Sequence, residues 1–285
     1  MSEQHEACVQ QPAHQQTQQE TQQVADRAGI TYLAAGDRAA VPILFLHGIG
    51  GAARAFAGQL AHFGRDYQAV AWDMPGYGGS APLPLVSIEA LAASLGLFIR
   101  ELGLERPVLV GHSIGGMIVQ RLLAEAPHAA RAVVLAQTSA AFGSQDPAWG
   151  DAFVHARLAP LDAGQTMADL APGLAASLIG DDPDPAGVAL AADCMAHTPD
   201  STYRDMVLAM PGFDQREALG RIAVPTLVLA GSRDPNAPAA AMERMAGRIP
   251  GARYVVLEGA GHLASLEQPA RFNAALQDFL TSALA

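Results

Sequence analysis

A serine flanked by glycines, between a short apolar run and a helical pattern, constrains this chain more than any other feature. Residues 108–110 read Val-Leu-Val, the composition of a strand that is buried on both faces. Gly-His-Ser-Ile-Gly follows directly at 111–115, and apolar residues at helical spacing come next. The two glycines leave room for the backbone in a sharp turn. The pattern therefore predicts a strained strand-to-helix turn that presents the hydroxyl of Ser113 above the end of a strand.

The five-residue pattern alone is also compatible with an ordinary tight turn that requires glycine. A chain rich in glycine and serine matches such a pattern by chance. A nucleophilic serine needs more from the rest of the sequence, namely a base, an acid and N–H donors for an oxyanion.

Strand and helix patterns alternate along most of the chain. Apolar strand runs lie at 43–46, 68–72, 108–110, 131–136, 225–230 and 254–257. This alternation predicts an α/β fold with a mostly parallel, doubly wound sheet. Residues 141–213 contain helix starts without strand patterns, at Asp146-Pro147, Asp162, Asp184-Pro185 and Pro199-Asp200. They predict a small helical cap inserted into a core domain of residues 25–140 and 214–285. The Gln-rich residues 1–24 are predicted to be a disordered tail.

Three residues of complementary chemistry follow the ends of predicted strands: Ser113, Asp234 and His262. The carboxyl ends of parallel strands meet at one edge of a sheet, so we expect these side chains to lie together. A serine hydroxyl becomes a nucleophile when an imidazole takes its proton and a carboxylate orients that imidazole. Their order along the chain is the one found in hydrolases with a turn of this kind. The simpler alternatives are a turn aspartate before Pro235 and a hydrogen-bonded loop histidine.

Backbone N–H groups for an oxyanion are predicted at two isoleucines. Ile114 directly follows the serine, and Ile49 lies in the glycine-rich loop after the strand at 43–46. His47 and Asp73 are interpreted as structural loop residues.

Composition excludes several classes of function. A net charge of −11 argues against nucleic acid as a partner. All 17 basic residues are arginine, so Schiff-base chemistry and a P-loop lysine are excluded. The two cysteines are far apart, and no metal-ligand spacing, signal peptide or membrane-spanning run is present. We therefore expect a cytoplasmic protein without cofactor, metal or membrane partner, either a monomer or a small homo-oligomer.

Five ordered motifs resemble those of the α/β-hydrolase superfamily, from about residue 25 to the end of the chain. They are HGIG at 47–50, DMPGYGGS at 73–80, GHSIGG at 111–116, GSRDP at 231–235 and GAGH at 259–262. The resemblance implies an α/β-hydrolase fold and a serine hydrolase. The predicted cap and the stretch at 249–269 are similar to 3-oxoadipate enol-lactonases and related carboxylesterases. That similarity implies cleavage of a carboxylic ester or (enol-)lactone through an acyl-enzyme.

Candidate substrate-binding residues lie beside the serine and in the predicted cap. They are His112, Trp149, Phe153, Arg157 and Met206. Aromatic and methionine side chains in the cap predict an apolar, adaptable pocket. The resemblance to enol-lactonases implies that a cap cation, with His155, Arg157 and Arg204 as candidates, holds a substrate carboxylate.

Three alternatives remain open at this stage. The chain also resembles C–C bond hydrolases of the meta-cleavage-product type, although Leu263 stands where they usually have tryptophan. A non-catalytic small-molecule receptor on the same fold is the second alternative. The third is dinucleotide binding by G-x-G-x-x-A at 48–53 with Asp73, which leaves Ser113, Asp234 and His262 unexplained.

Overall fold

The computed structural model describes residues 22–25, 28–143 and 147–285, and the strands in these residues form one sheet. The strands are β1 (Gln22–Ala25), β2 (Thr31–Ala35), β3 (Pro42–Leu46), β4 (Gln68–Trp72), β5 (Val108–His112), β6 (Ala132–Ala136), β7 (Thr226–Gly231) and β8 (Arg253–Leu257). Their order across the sheet is β1-β2-β4-β3-β5-β6-β7-β8. β1 and β2 pair antiparallel, and β3 to β8 run parallel. The predicted mostly parallel sheet is confirmed.

Helices and short 3₁₀ turns separate the strands. The helices are α1 (Ala57–Phe63), α2 (Ile88–Glu101), α3 (Ile114–Glu125), α4 (Pro147–Asp162), α5 (Met167–Leu178), α6 (Pro185–Ala196), α7 (Asp200–Ala209), α8 (Ala239–Ala246), α9 (Ala264–Glu267) and α10 (Pro269–Ala283). The 3₁₀ turns are Ala53–Phe56 and Leu219–Arg221.

Strands β3, β5, β6 and β7 consist mainly of apolar residues because both faces of the sheet are covered. Alternate side chains along each strand enter two different apolar clusters. Leu44 and Trp72 pack on the face covered by α2 and α3. Phe45 and Val110 pack on the opposite face with α1 and α10. The sheet is therefore a rigid support for the loops at its carboxyl edge.

The prediction of a disordered tail is wrong for residues 22–24. They belong to β1, in which Gln22 lies opposite Ala34 and Ala25 lies opposite Thr31. Without β1, the outer edge of β2 would leave a row of backbone N–H and C=O groups unpaired. Residues 1–21, the rest of the predicted tail, lie outside the described residues.

Four helices, α4 to α7, connect β6 to β7, where the sequence contains helix starts without strand patterns. Asp184 caps α6 through the N–H of Ala186, as its position before a proline predicts. The helix start predicted at Asp162 is wrong, because α4 continues to that residue and Thr166 caps α5 in a capping box. The start predicted at 146–147 falls partly outside the described residues. Division into core and cap domains remains a prediction.

Candidate active site

Ser113 lies between the last residue of β5 and the first residue of α3. Its backbone has φ 53° and ψ −122°, a conformation that costs a non-glycine residue about 1–3 kcal/mol. A Cβ at Gly111 would lie 2.7 Å from the carbonyl oxygen of Gly115. A Cβ at Gly115 would lie 2.5 Å from the carbonyl oxygen of Leu46. Both glycines are sterically required, as the sequence predicts.

Two hydrogen bonds hold the strained turn against β6 and the residues that follow it. The N–H of Ser113 donates to the carbonyl of Ala136 at 3.0 Å. The hydroxyl of Thr138 donates to the carbonyl of Ser113 at 2.7 Å. These bonds fix the serine backbone and leave its hydroxyl free to contact other groups.

The side chains of Ser113, His262 and Asp234 form a continuous chain of hydrogen bonds. Nδ1 of His262 lies 2.8 Å from Oδ2 of Asp234, and Nε2 of His262 lies 3.0 Å from Oγ of Ser113. The carboxylate accepts, so Nδ1 carries the proton and Nε2 presents its lone pair to the serine hydroxyl. This arrangement can remove the hydroxyl proton while the serine attacks a carbonyl carbon.

Asp234 is buried and is also held by backbone donors. Its Oδ1 accepts the N–H groups of Asn236 at 2.8 Å and Ala237 at 3.0 Å. Burial acts to raise the pKa of Asp234. Hydrogen bonds and charge from His262, together with the two N–H groups, outweigh burial and lower that pKa below its usual value. The side chain is therefore an ionised acceptor for His262.

His112 lies beside the imidazole of His262, and their ring centroids are 5.0 Å apart. Its Nε2 donates to the carbonyl oxygen of His262 at 2.7 Å. Burial and, to a smaller extent, the nearby His262 lower the pKa of His112 to about 3. His112 is therefore a neutral donor that binds the backbone of His262 and also lines the cavity described below.

In the loop after β3, the N–H of Ile49 points away from the hydrogen bonds that the carbonyl of Gly48 accepts. The carbonyl of Gly48 accepts from His47 Nδ1 at 2.8 Å and from the N–H of Gly51 at 2.9 Å. In a trans peptide the next N–H points in the opposite direction. A Cβ at Gly48 would lie 3.0 Å from the Cβ of Ser113, so this loop and the serine are in contact.

The second predicted oxyanion donor is the N–H of Ile114, which is the first residue of α3. Helix geometry leaves this N–H without an intrahelical acceptor. Within the described residues, neither Ile49 nor Ile114 donates its N–H to another group. Both groups are free to bind an oxyanion.

His47 and Asp73 have the structural roles that the sequence predicts. Nε2 of His47 accepts the N–H of Met74 at 3.0 Å, and burial lowers the pKa of this histidine. Asp73 accepts from the N–H of Ala53 and the hydroxyl of Thr31. Neither side chain reaches Ser113.

A cavity of about 280 Å³ lies above Ser113. The sheet edge provides one side of its lining, and α4, α5 and α7 provide the other. Lining residues from these helices are Trp149, Phe153, Arg157, Leu178, Tyr203 and Val207, and Met210, directly after α7, also lines the cavity. The helices between β6 and β7 therefore enclose the reactive groups.

The aromatic wall of the cavity is formed by three rings. Trp149 and Phe153 stack with an interplanar angle of 8°, and Phe142 meets both rings edge-on. The guanidinium of Arg157 lies 5.5 Å from the centre of the Phe153 ring. No carboxylate among the described residues forms an ion pair with Arg157. Arg157 is therefore a cation available to a ligand.

Met206, the fifth predicted substrate-binding residue, does not line this cavity. It is completely buried in the apolar cluster between the sheet and α2, α3 and α7. α7 instead presents Tyr203 and Val207 to the cavity, and neither was predicted. Gln137, Thr138 and Ser139 were also missed, although their position directly after β6 places them at the same sheet edge.

A family model described as the alpha/beta hydrolase fold matches residues 41–269. The chain belongs to this family. The match contains every strand from β3 to β8 and all three residues of the hydrogen-bonded chain. The predicted fold and family are confirmed.

Individual members of the family share about a quarter to a third of their residues with this chain. A putative carbamate hydrolase RutD from Pseudomonas savastanoi is 32% identical over 85% of this chain and 94% of its own length. A 3-oxoadipate enol-lactonase from Acinetobacter baylyi is 26% identical over 89% and 93%. The crystal structure of the enol-lactonase from Burkholderia xenovorans superimposes with a TM-score of 0.80 at 27% identity, covering 91% of this chain and 100% of that one. These relatives support a hydrolase that acts on a small molecule.

Within the described residues, this α/β-hydrolase contains no cluster of three or more side chains suited to a metal ion. The same residues form no helix of the length and apolarity that crossing a membrane requires.

Proposed function

We propose that this protein is a serine hydrolase that cleaves a carboxylic ester or (enol-)lactone through an acyl-enzyme. The hydrogen-bonded chain from Ser113 through His262 to Asp234 carries the proposal, because it provides a nucleophile, a base and an orienting acid in one geometry. Membership of the α/β-hydrolase family and similarity to a named enol-lactonase support it.

In the proposed mechanism, Ser113 Oγ attacks the substrate carbonyl while His262 Nε2 takes the hydroxyl proton. The N–H groups of Ile49 and Ile114 stabilise the tetrahedral oxyanion, and each such donor is worth about 2.7–4 kcal/mol. Protonated His262 then gives its proton to the leaving alcohol or enol oxygen. Water attacks the acyl-enzyme by the same path in reverse, which releases the acid and restores Ser113.

We further propose that residues 141–213 act as the cap that selects the substrate. The cavity of about 280 Å³ lies at the small end of the range of ligand pockets. Its aromatic wall fits an apolar segment, and the unpaired Arg157 fits a carboxylate at the edge of that wall. The favoured substrate is therefore a small ester or lactone that carries an anionic group.

Carbamate hydrolysis is a second candidate, favoured by the name of the 32% identical relative. The same groups would attack a carbamate carbonyl. A panel with matched ester, lactone and carbamate substrates distinguishes the candidates by product analysis. A dienol ketone is added to the panel as a substrate for a C–C bond hydrolase. A receptor would turn over none of these compounds.

The proposal is tested with a fluorophosphonate probe, which reacts with an activated serine. We expect one probe per chain, located on Ser113 by peptide mapping, together with hydrolysis of p-nitrophenyl acetate and butyrate. An absence of both labelling and turnover would contradict a serine mechanism.

In a plot of log(kcat/KM) against pH, the rise on the acid side is expected to have a slope of one. Burial holds the pKa of His112 near 3, and the pKa of Asp234 also lies below its usual value. Both groups are therefore deprotonated at neutral pH, and the one further ionisation that the mechanism requires is formation of the neutral imidazole base, so activity rises with pH. Measurement of kcat/KM against pH, with intrinsic fluorescence to follow folding, checks this. A slope of two would mean that a second group titrates with His262.

Replacement of Arg157 by glutamine is expected to raise KM for anionic substrates selectively. A charge-assisted hydrogen bond contributes about 1.5–3 kcal/mol, so KM for p-nitrophenyl succinate should rise at least about tenfold. KM for p-nitrophenyl butyrate, which lacks the carboxylate, should change little. Arg204→Gln is the matched control, because Arg204 pairs with Asp162 and does not line the cavity. Equal effects on both substrates would contradict carboxylate binding by Arg157.

A further inference from the structure

The carboxylate of Glu267, the last residue of α9, is buried with only 2% of the residue exposed. Its Oε1 accepts the N–H of Leu263 at 2.8 Å. Its Oε2 accepts the N–H of Gly261 at 2.9 Å and the N–H of Gly180 at 2.6 Å. Two of these three donors are the immediate chain neighbours of His262. One side chain therefore holds the backbone on both sides of the histidine.

The backbone of His262 itself is held by two other groups. Its N–H donates to the carbonyl of Leu178 at 2.7 Å, and its carbonyl accepts from His112 Nε2 at 2.7 Å. The position of the imidazole is therefore determined by fixed backbone contacts as well as by Asp234.

The same carboxylate joins this backbone to the connection between α5 and α6. Gly180, which donates to Glu267, belongs to that connection. The N–H of Asp181 donates to the carbonyl of Gly259 at 2.7 Å, and the N–H of Asp184 donates to the carbonyl of Glu267 at 2.8 Å. A Cβ at Gly180 would lie 2.0 Å from the carbonyl oxygen of Gly259, so the two segments touch. They form one hydrogen-bonded unit.

In the part of the chain that the structure describes, the donors that contact the side-chain oxygens of Glu267 are backbone N–H groups. Among the described residues, no arginine or histidine forms an ion pair with it. All three groups that face its oxygens are N–H donors, so only an acceptor at both oxygens satisfies them. A glutamine in this place would direct an NH₂ group at one or two N–H groups, which are then left without an acceptor.

We propose that Glu267 is a positioning residue, which sets the place of His262 relative to Ser113 and couples that place to the α5–α6 connection. The inference rests on the proposed serine mechanism. Misplacement of a catalytic group by about 1 Å lowers a rate by about 100-fold. Loss of the Glu267 acceptor should therefore reduce kcat while substrate binding in the cavity, which Glu267 does not line, is retained.

The test compares wild type with Glu267→Gln and the matched control Gln268→Ala. Gln268 is the next residue, and its side chain donates to the carbonyl of Glu258 outside the unit described above. Each variant is checked by gel filtration and circular dichroism. Then kcat and KM are measured for p-nitrophenyl butyrate, and kcat is calculated from the concentration of folded protein. One-dimensional proton NMR follows the Nδ1–H proton between His262 and Asp234, which resonates far downfield. Hydrogen exchange follows residues 178–184.

For Glu267→Gln we expect kcat to fall about 100-fold with KM changed less than about threefold. The downfield proton should be lost or broadened, and exchange at 178–184 should increase. Gln268→Ala should match wild type in all four measurements. A Glu267→Gln protein that keeps the downfield proton and has a kcat within about twofold of wild type would overturn the proposal, even if its melting temperature were lower.

The NMR and exchange measurements do not depend on turnover. If wild type neither labels at Ser113 nor hydrolyses any ester, the proposed function fails. The positioning role of Glu267 is then decided by the downfield proton alone: its loss in Glu267→Gln supports the role, and its retention overturns it.

Discussion

Replacement of Ser113 by alanine is expected to lower kcat/KM for p-nitrophenyl esters by at least about 10³-fold and to abolish fluorophosphonate labelling. The proposed mechanism has no other nucleophile, because the described serine hydroxyls other than Ser113 do not contact the imidazole of His262. The proposed oxyanion donors at Ile49 and Ile114 are unchanged by the substitution, so KM should change much less than kcat.

Folding of the Ser113→Ala protein should be preserved. The serine side chain makes one hydrogen bond, to His262, and the strained backbone is held by Ala136 and Thr138, which the substitution does not touch. Ser177→Ala is the matched control, since the hydroxyl of Ser177 is exposed on α5 and bonds within its own helix. Turnover by Ser113→Ala within about tenfold of wild type would rule out the acyl-enzyme.

Replacement of Asp234 by asparagine is expected to lower kcat by about 10⁴-fold, the loss typical of a wrong imidazole tautomer. The N–H groups of Asn236 and Ala237 require an acceptor at the position of Oδ1, so the amide oxygen should occupy it. The amide NH₂ then faces Nδ1 of His262 and donates to it. The ring proton moves to Nε2, which can no longer accept the proton of Ser113.

Kinetics and NMR check this second expectation. The Asp234→Asn protein should label slowly but still at Ser113, and its imidazole proton resonance should differ from that of wild type. Asp214→Asn, which changes an exposed carboxylate paired with Arg216, is the control for loss of one negative charge. Retention of at least a tenth of wild-type kcat in Asp234→Asn would contradict the assigned role of the carboxylate.

The proximity of Ser113, Asp234 and His262 could be predicted from sequence because the fold itself brings them together. Ser113, Asp234 and His262 each follow a buried strand, and parallel strands place such residues at one edge of the sheet. Gly111 and Gly115 were also predictable, because the turn leaves no room for side chains there.

The orientation of side chains on the covering helices could not be predicted. The buried face of α7 is apolar across its width, because Met206 packs toward the sheet and Tyr203 and Val207 face the cavity. The sequence pattern therefore does not distinguish Met206, which packs in the core, from Val207, which lines the cavity.

Glu267 escaped prediction for a related reason. In the sequence it is an acidic residue at the start of a terminal helix pattern, where an exposed carboxylate is ordinary. Its partners at 180, 261 and 263 are identified only when the chain is folded. Strand β1 likewise has a partly polar sequence, and only the fold shows that it pairs with the outer edge of β2.

The lining of the cavity has a consequence for protein engineering. The reacting groups lie on loops of the sheet edge, whereas the aromatic wall and Arg157 lie on or beside α4. In the segment from α4 to α7, the end of α5 and the α5–α6 connection are the parts that hydrogen-bond to the backbone around His262. A directed-evolution library confined to Phe153, Tyr203 and Val207 would therefore change which molecules enter the cavity. The geometry of Ser113, His262 and Asp234 would stay the same.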